Sequence, residues 1–170
     1  MILMKLDIRA LAWMLIISVV SSVFASCAKI EANESQLEFY DGLENQTIIN
    51  IYGDDINDVY RMGVADRLFI DYAVCDLNGN NLSDLIVLIR SPIHSGSHGD
   101  LLNVLINCGD GKYEIVASYI VQMYDQISPG KPVVFISAEK TKGFKNIILQ
   151  QPDNDIVLVY TDGMYSIMTS

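Results

Sequence analysis

From residue 37 onward the chain alternates short apolar stretches with turn-forming residues. Residues 67–74 set Leu68, Ile70, Tyr72 and Val74 on one face, with Arg67, Phe69, Asp71 and Ala73 on the other. That period of two marks a half-buried strand. Residues 112–121 alternate in the same way and bring Tyr113, Ile115, Ala117, Tyr119 and Val121 together. Leu85-Ile86-Val87-Leu88-Ile89 is unbroken apolar sequence, the kind of run found in a buried strand. Shorter runs at 37–40, 48–52, 101–107 and 133–136 also read as strands, the first two flanking a turn at Asp41-Gly42. One segment predicts a short helix, capped by Asp54 or Asp55, with Ile56, Val59 and Tyr60 along one side and Gly63 closing it. Ten short strands separated by turn residues predict an all-β antiparallel fold.

The first 26 residues stand apart from this pattern. Lys5 and Arg9 precede an apolar block at 10–24, too short to span a bilayer as a mature helix and arranged like an export signal. Cleavage after Val23-Phe24-Ala25 would start the chain at Ser26. Phe24-Ala25-Ser26-Cys27 instead resembles a bacterial lipobox, which implies a lipid on Cys27. The cysteine count favours the second site. Acylated Cys27 leaves Cys75 and Cys108 as an even pair, available for a disulfide in an oxidising compartment, with two buried free thiols as the alternative. Residues 27–36 read as a polar tether and 37–170 as a single domain.

Charge narrows the partners. Removing residues 1–26 takes Lys5, Arg9 and Asp7 and leaves 9 basic and 20 acidic residues, a net charge of −11. A chain that acidic is unsuited to a nucleic-acid backbone, which calls for a basic face. It steers basic partners toward itself. Contact with a membrane is expected only through the N-terminal lipid.

One stretch carries chemistry. Residues 76–84 read Asp-Leu-Asn-Gly-Asn-Asn-Leu-Ser-Asp, so Asp76, Asn78, Asn80 and Asp84 put side-chain oxygens at the first, third, fifth and ninth places, and Leu82 offers its carbonyl at the seventh. A hard cation such as Ca²⁺ takes six to eight oxygens, and a tight loop with ligands at alternate residues supplies them. Gly79 permits a close turn, and Asn81 tolerates φ > 0 better than most residues. The metal-free reading is an Asx-turn joining two strands. This pattern resembles the calcium loops of FG-GAP and VCBS repeats, in which an acidic, Asn- and Gly-rich loop runs directly into an apolar strand. The hairpin at 106–113, with Gly109-Asp110-Gly111, is similar to theirs as well. Asn80 stands where those repeats usually have Asp, and Asn81 where they have Gly. With charge only on Asp76 and Asp84, the expected dissociation constant falls at about 10⁻⁴–10⁻³ M.

The chain then repeats itself. Residues 142–149 align with 80–87 at an offset of 62, and 160–167 echo 108–115 at an offset of 52, so the copies occupy 76–121 and 138–168. In the second copy Lys140 and Lys142 replace Asn78 and Asn80. An ammonium group repels a cation, so this copy predicts the fold without the metal. Blade-like hairpins of this kind resemble parts of a propeller. About 144 residues cannot supply four four-stranded blades, so a propeller-like or sandwich-like stack is expected and a full propeller is not.

The 91–100 segment, rich in Pro, Ser and Gly, leaves the far end of the strand that begins at Asp84, and His94, Ser95, Gly96, Ser97 and His98 are its candidate partner-binding residues. His94 and His98 lack the helical spacing and the third ligand of a zinc site. No nucleophile elbow or phosphate-cradling glycine loop is present. The expectation is therefore a non-catalytic, exported, calcium-stabilised binding module. A calcium-dependent envelope hydrolase and a purely structural lipoprotein are the alternatives. One calcium loop with a degenerate repeat resembles a group that includes periplasmic lysozyme inhibitors and immunity lipoproteins. That resemblance implies an envelope partner such as a basic lysozyme, with Ser95-Gly96-Ser97-His98 similar to the Ser-Gly loops such inhibitors insert into clefts.

Overall fold

The computed structural model describes residues 34–94, 99–121, 133–150 and 154–168. The export signal, Cys27 and most of the tether lie outside them, as do Ser95, Gly96, Ser97 and His98. Among the described residues are β1 (Glu34–Gln36), β2 (Tyr40–Asp41), α1 (Gln46–Arg61), β3 (Phe69–Cys75), β4 (Asp84–Arg90), β5 (Asp100–Gly109), β6 (Lys112–Val121), β7 (Val134–Thr141), β8 (Phe144–Leu149), β9 (Ile156–Thr161) and β10 (Met164–Ile167). They make two five-stranded antiparallel sheets, ordered β2-β3-β4-β5-β6 and β1-β7-β8-β9-β10. The fold is thus all-β and sandwich-like, as the alternation predicts. Each sheet is a four-stranded up-and-down meander with a short earlier strand added at one edge.

Several expectations fail near the N-terminal end. Residues 34–36 belong to no tether; they pair antiparallel with β7. The run at 48–52 is helical, inside α1. Its three isoleucines favour a strand locally, but Ile48, Tyr52, Ile56 and Val59 recur at helical spacing, and Ile48, Tyr52 and Val59 are buried. The cap is Asn45, whose Oδ1 accepts from the N–H groups of Thr47 and Ile48 at 2.9 and 3.2 Å. A kink at Tyr52 (φ −110°, ψ 15°) divides α1, and Asp54 and Asp55 fall inside its second segment, which carries Ile56, Val59 and Tyr60, instead of capping a separate helix. Gly63 follows the last turn at φ +72°, the closing position the sequence assigned it. Asp41-Gly42 is no hairpin: Asp41 Oδ1 caps a 3₁₀ turn by accepting from Leu43 N–H at 2.8 Å.

The first sheet is covered on both faces, which explains the unbroken apolar run. On β4, Leu85, Val87 and Ile89 pack with Ile48, Tyr52 and Val59 of α1, while Ile86 and Leu88 pack with Ile147, Leu149, Leu158 and Tyr165 of the second sheet. A residue 62 places after one facing α1 faces the first sheet: Leu85 and Val87 correspond to Ile147 and Leu149. Relative to the first sheet, α1 occupies the side that the first sheet occupies relative to the second.

Strand register recurs at the 62-residue offset. Val74 pairs with Leu85 and Ala73 with Ile86; 62 residues later Ile136 pairs with Ile147 and Phe135 with Ile148. Ten residues lie between the last matched pairs in each copy (75–84 and 137–146), yet they fold differently. In the first copy the ladder stops at Cys75 and Asp84 and a loop follows. In the second a bulge follows Ile136, pairing resumes at Lys140 opposite Lys145, and Lys142-Gly143 closes the ribbon. Lys142-Gly143, Asp110-Gly111 and Asp162-Gly163 all have φ > 0 at both residues, the requirement of a type I′ hairpin turn.

Candidate metal centre

The 76–84 loop is stitched by its own side chains. Asp76 Oδ1 accepts from Gly79 N–H at 2.7 Å and its Oδ2 from Asn81 N–H at 3.2 Å. Asn78 Oδ1 accepts from Asn80 N–H at 3.0 Å, and Asn80 Oδ1 from Leu82 N–H at 2.8 Å. Gly79 and Asn81 have φ of +79° and +63°, the two left-handed positions the sequence anticipates. Only glycine takes such a φ without steric cost, and Asn is the next most tolerant type.

Asp84 ends the loop in a different environment. It is fully buried, with Oδ2 accepting from Leu77 N–H at 2.8 Å and Oδ1 from Asn107 N–H at 2.9 Å. One carboxylate thereby joins the start of the loop, the start of β4 and the end of β5. Burial raises its pKa, against the two N–H groups that favour the anion. Asp76 lies at the surface end: desolvation opposes its ionisation, but the N–H groups of Gly79 and Asn81 and the charge of Lys145 outweigh it and hold its carboxyl below the usual range.

Two residues that carry no ligand atom in the sequence pattern fix the loop in place. Leu77 is fully buried among the residues between the two sheets, and its carbonyl accepts from Lys145 N–H of β8 at 2.8 Å. Asn107 donates from Nδ2 to the Ser83 carbonyl at 3.2 Å and to Tyr113 Oη at 3.3 Å, while its Oδ1 accepts from Gly109 N–H at 2.9 Å. In sequence Leu77 reads as filler between ligand places, although an apolar side chain at the second place of a polar loop is itself the available signal. Asn107 gives none, because its role depends on β4–β5 register.

The donor set fits a hard cation. Among the described residues no ion pair neutralises Asp84 or Asp76, and each oxygen of Asp84 accepts one N–H bond, which leaves lone-pair capacity there. No three His, Cys, Asp or Glu residues come together among the described residues. The remaining candidate oxygens are the amides of Asn78 and Asn80 and the Leu82 carbonyl, which suits Ca²⁺ and not a transition metal.

The other predicted sites fare differently. Cys75 and Cys108 are free thiols, so the expected bridge is not formed. They lie on β3 and β5 with β4 between, about 10 Å apart at ordinary strand spacing against a limit of about 7 Å for a disulfide. Burial pushes the Cys75 thiol up to about 12. His94 N–H donates to Ser91 Oγ at 3.2 Å, and its Nε2 lies 3.5 Å from Asp55 Oδ2 of α1. The far side of the 91–99 segment is set by Gly99 at φ +145°, where a Cβ would stand 2.6 Å from the Val121 carbonyl oxygen. Next to it Asp100, buried, forms a bidentate pair with Arg90, Nε–Oδ1 3.0 Å and Nη2–Oδ2 3.3 Å. Both ends of the segment are thus fixed, at the opposite end of β4 from the loop, about 20 Å away along seven residues of strand. Among the described residues no helix is long and apolar enough to cross a membrane. Comparison with known protein families, with characterised proteins and with solved structures finds no match to this chain.

Proposed function

We propose that this chain is an exported, non-catalytic binding module whose β scaffold is braced by Ca²⁺ in the 76–84 loop and which presents the 91–99 segment to a macromolecule of the cell envelope. Asp76, Asn78, Asn80, Asp84 and the Leu82 carbonyl would hold the ion. When bound, it supplies the positive charge that a buried carboxylate otherwise lacks. The observation that carries the reading is Asp84: a fully buried anion, tied to two backbone N–H groups on separate segments, at the root of the strand that leads to the 91–99 segment. Burying a carboxylate without a cation costs several kcal/mol, so a loop that does so is suited to accept one.

Thermal unfolding of the purified protein in chelator and in millimolar Ca²⁺ tests the proposal. At ten times its dissociation constant the ion stabilises the fold by about 1.4 kcal/mol. Asp84→Ala removes that increment and Lys142→Ala leaves it in place. Identical melting in chelator and calcium refutes the metal. The envelope partner is tested by inhibition of a panel of basic lysozymes, since a net charge of −11 on the mature chain favours a cationic target. Absence of inhibition throughout that panel removes the lysozyme version.

A further inference from the structure

The second copy lacks the ligand loop, but its lysines are not remote from the first. Lys140 and Lys145 are directly opposite each other on β7 and β8, a cross-strand pair of like charges that by itself destabilises a hairpin. Their surroundings explain why they are tolerated. Lys140 Nζ lies 3.5 Å from where a Cβ on Gly79 would stand, against the backbone of the ligand loop. Lys145 donates its backbone N–H to Leu77, the residue of the loop buried between the sheets. The Lys145 carbonyl in turn accepts from Tyr165 Oη at 2.7 Å, so this point of β8 is held from both sides. Lys142, the third lysine of the hairpin, is engaged elsewhere, 3.2 Å from Asp162 Oδ1. The ammonium group of Lys140 thus stands against the loop at Gly79 and the charge of Lys145 acts on Asp76, whereas the lysine of the turn is paired with Asp162.

We infer that Lys140 and Lys145 are a built-in counter-charge for the ligand loop: they offset the charge of Asp76 when no ion is bound and oppose the ion's entry. This rests on the calcium reading above and adds to it a mode of regulation. The empty loop keeps its place between the sheets because charge of the right sign stands beside it. Ca²⁺ must then work against two ammonium groups, so the loop fills only where the ion is abundant. The site reports the calcium level of its compartment instead of holding the ion permanently.

The experiment is calorimetric titration of the purified protein and of K140Q, K145Q, K140Q/K145Q and K142Q with CaCl₂, paired with melting of each in chelator. Glutamine keeps most of the stem and removes the charge, and circular dichroism in chelator establishes that each variant is folded. At separations of several ångströms in a solvent-exposed setting, loss of both charges tightens calcium binding by about five- to tenfold and lessens its dependence on ionic strength. The same double variant melts lower than wild type in chelator, and K142Q matches wild type in both measurements. An unchanged dissociation constant in K140Q/K145Q, or an equal shift in K142Q, overturns the inference while leaving the calcium site standing. No binding by any of the proteins up to about 20 mM, beyond the weakest calcium modules, overturns the site and the inference together.

Discussion

Leu77→Ala provides the sharpest test of how the ligand loop is held. The loop contains two leucines, five residues apart, of the same chemistry and opposite placement. Leu77 is fully buried and packs with the residues that join the two sheets, whereas Leu82 is 38% exposed. Truncating a fully buried leucine removes its transfer free energy and leaves a cavity, a cost of about 2–5 kcal/mol. The site lies between two sheets that are tied on one side by a backbone bond from Lys145 to Leu77, so collapse around the gap is limited and about 3 kcal/mol is expected. For a domain of this size that lowers the melting temperature by about 10 °C. Leu82→Ala, which empties no buried volume, costs under about 0.5 kcal/mol. Urea denaturation in chelator, with equal m-values taken as the check that both variants unfold from the same state, gives the two free energies directly. A cost below about 1 kcal/mol for Leu77→Ala, or equal costs for the two leucines, would refute the claim that the loop is seated by its second residue.

Three further outcomes follow from the same geometry. Asn107→Ala removes the side-chain bonds to Ser83, Tyr113 and Gly109 and is expected to cost about 1–3 kcal/mol, with faster amide exchange at Gly109 as the local readout. The raised pKa of buried Asp84 means that, without calcium, its contribution to stability is fully present below the ordinary carboxylate value of 3.8 and is lost as pH rises through the folded value; Asp76, with its depressed pKa, contributes above the ordinary value and loses that contribution as pH falls. Melting of the protein and of Asp84→Asn across pH 3–7 in chelator should therefore show the difference shifting in favour of the variant as pH rises, and calcium affinity of the wild type should fall on acidification; a constant difference contradicts the burial of a charge. Gly99→Ala drives a Cβ into the Val121 carbonyl at an unfavourable φ and is expected to cost at least about 2 kcal/mol in chemical denaturation, where a conventional loop glycine costs less than about 1.

Where the chain alternates, its sequence was enough to place the strands. The unbroken run at 85–89 and the Asp-Gly turns at 110–111 and 162–163 each rest on local chemistry, and β4 and the two hairpins lie where that chemistry puts them; β6 spans the 112–121 alternation, but a bulge opposite Val104 and Leu105 breaks its period, burying Val116 and leaving Ile115 exposed. The repeat was legible for the same reason, since register follows the hydrophobic pattern. Residues 48–52 were not, because β-branched side chains score as strand over five residues and the helical spacing of Ile48, Tyr52, Ile56 and Val59 emerges only over twelve. The edge strand at 34–36 is polar and exposed, and only its pairing to β7 defines it. In the candidate site, the side-chain oxygens that accept the loop's N–H groups and the two left-handed residues could be read directly from the sequence. Leu77, Asn107, Lys140 and Lys145 could not, since each acts on the loop through a contact made by a different strand or by the other sheet.

The matched intervals at 75–84 and 137–146 have a wider consequence. One length of chain bridges neighbouring strands in two ways, once by letting side-chain oxygens take over the role of ladder partners and once by extending the ladder itself past a bulge. Exchanging one solution for the other requires no insertion or deletion, and so leaves every downstream strand with the same side turned to its neighbour. Two copies built on such an interval can drift apart in chemistry by single substitutions while the architecture around them stays in step.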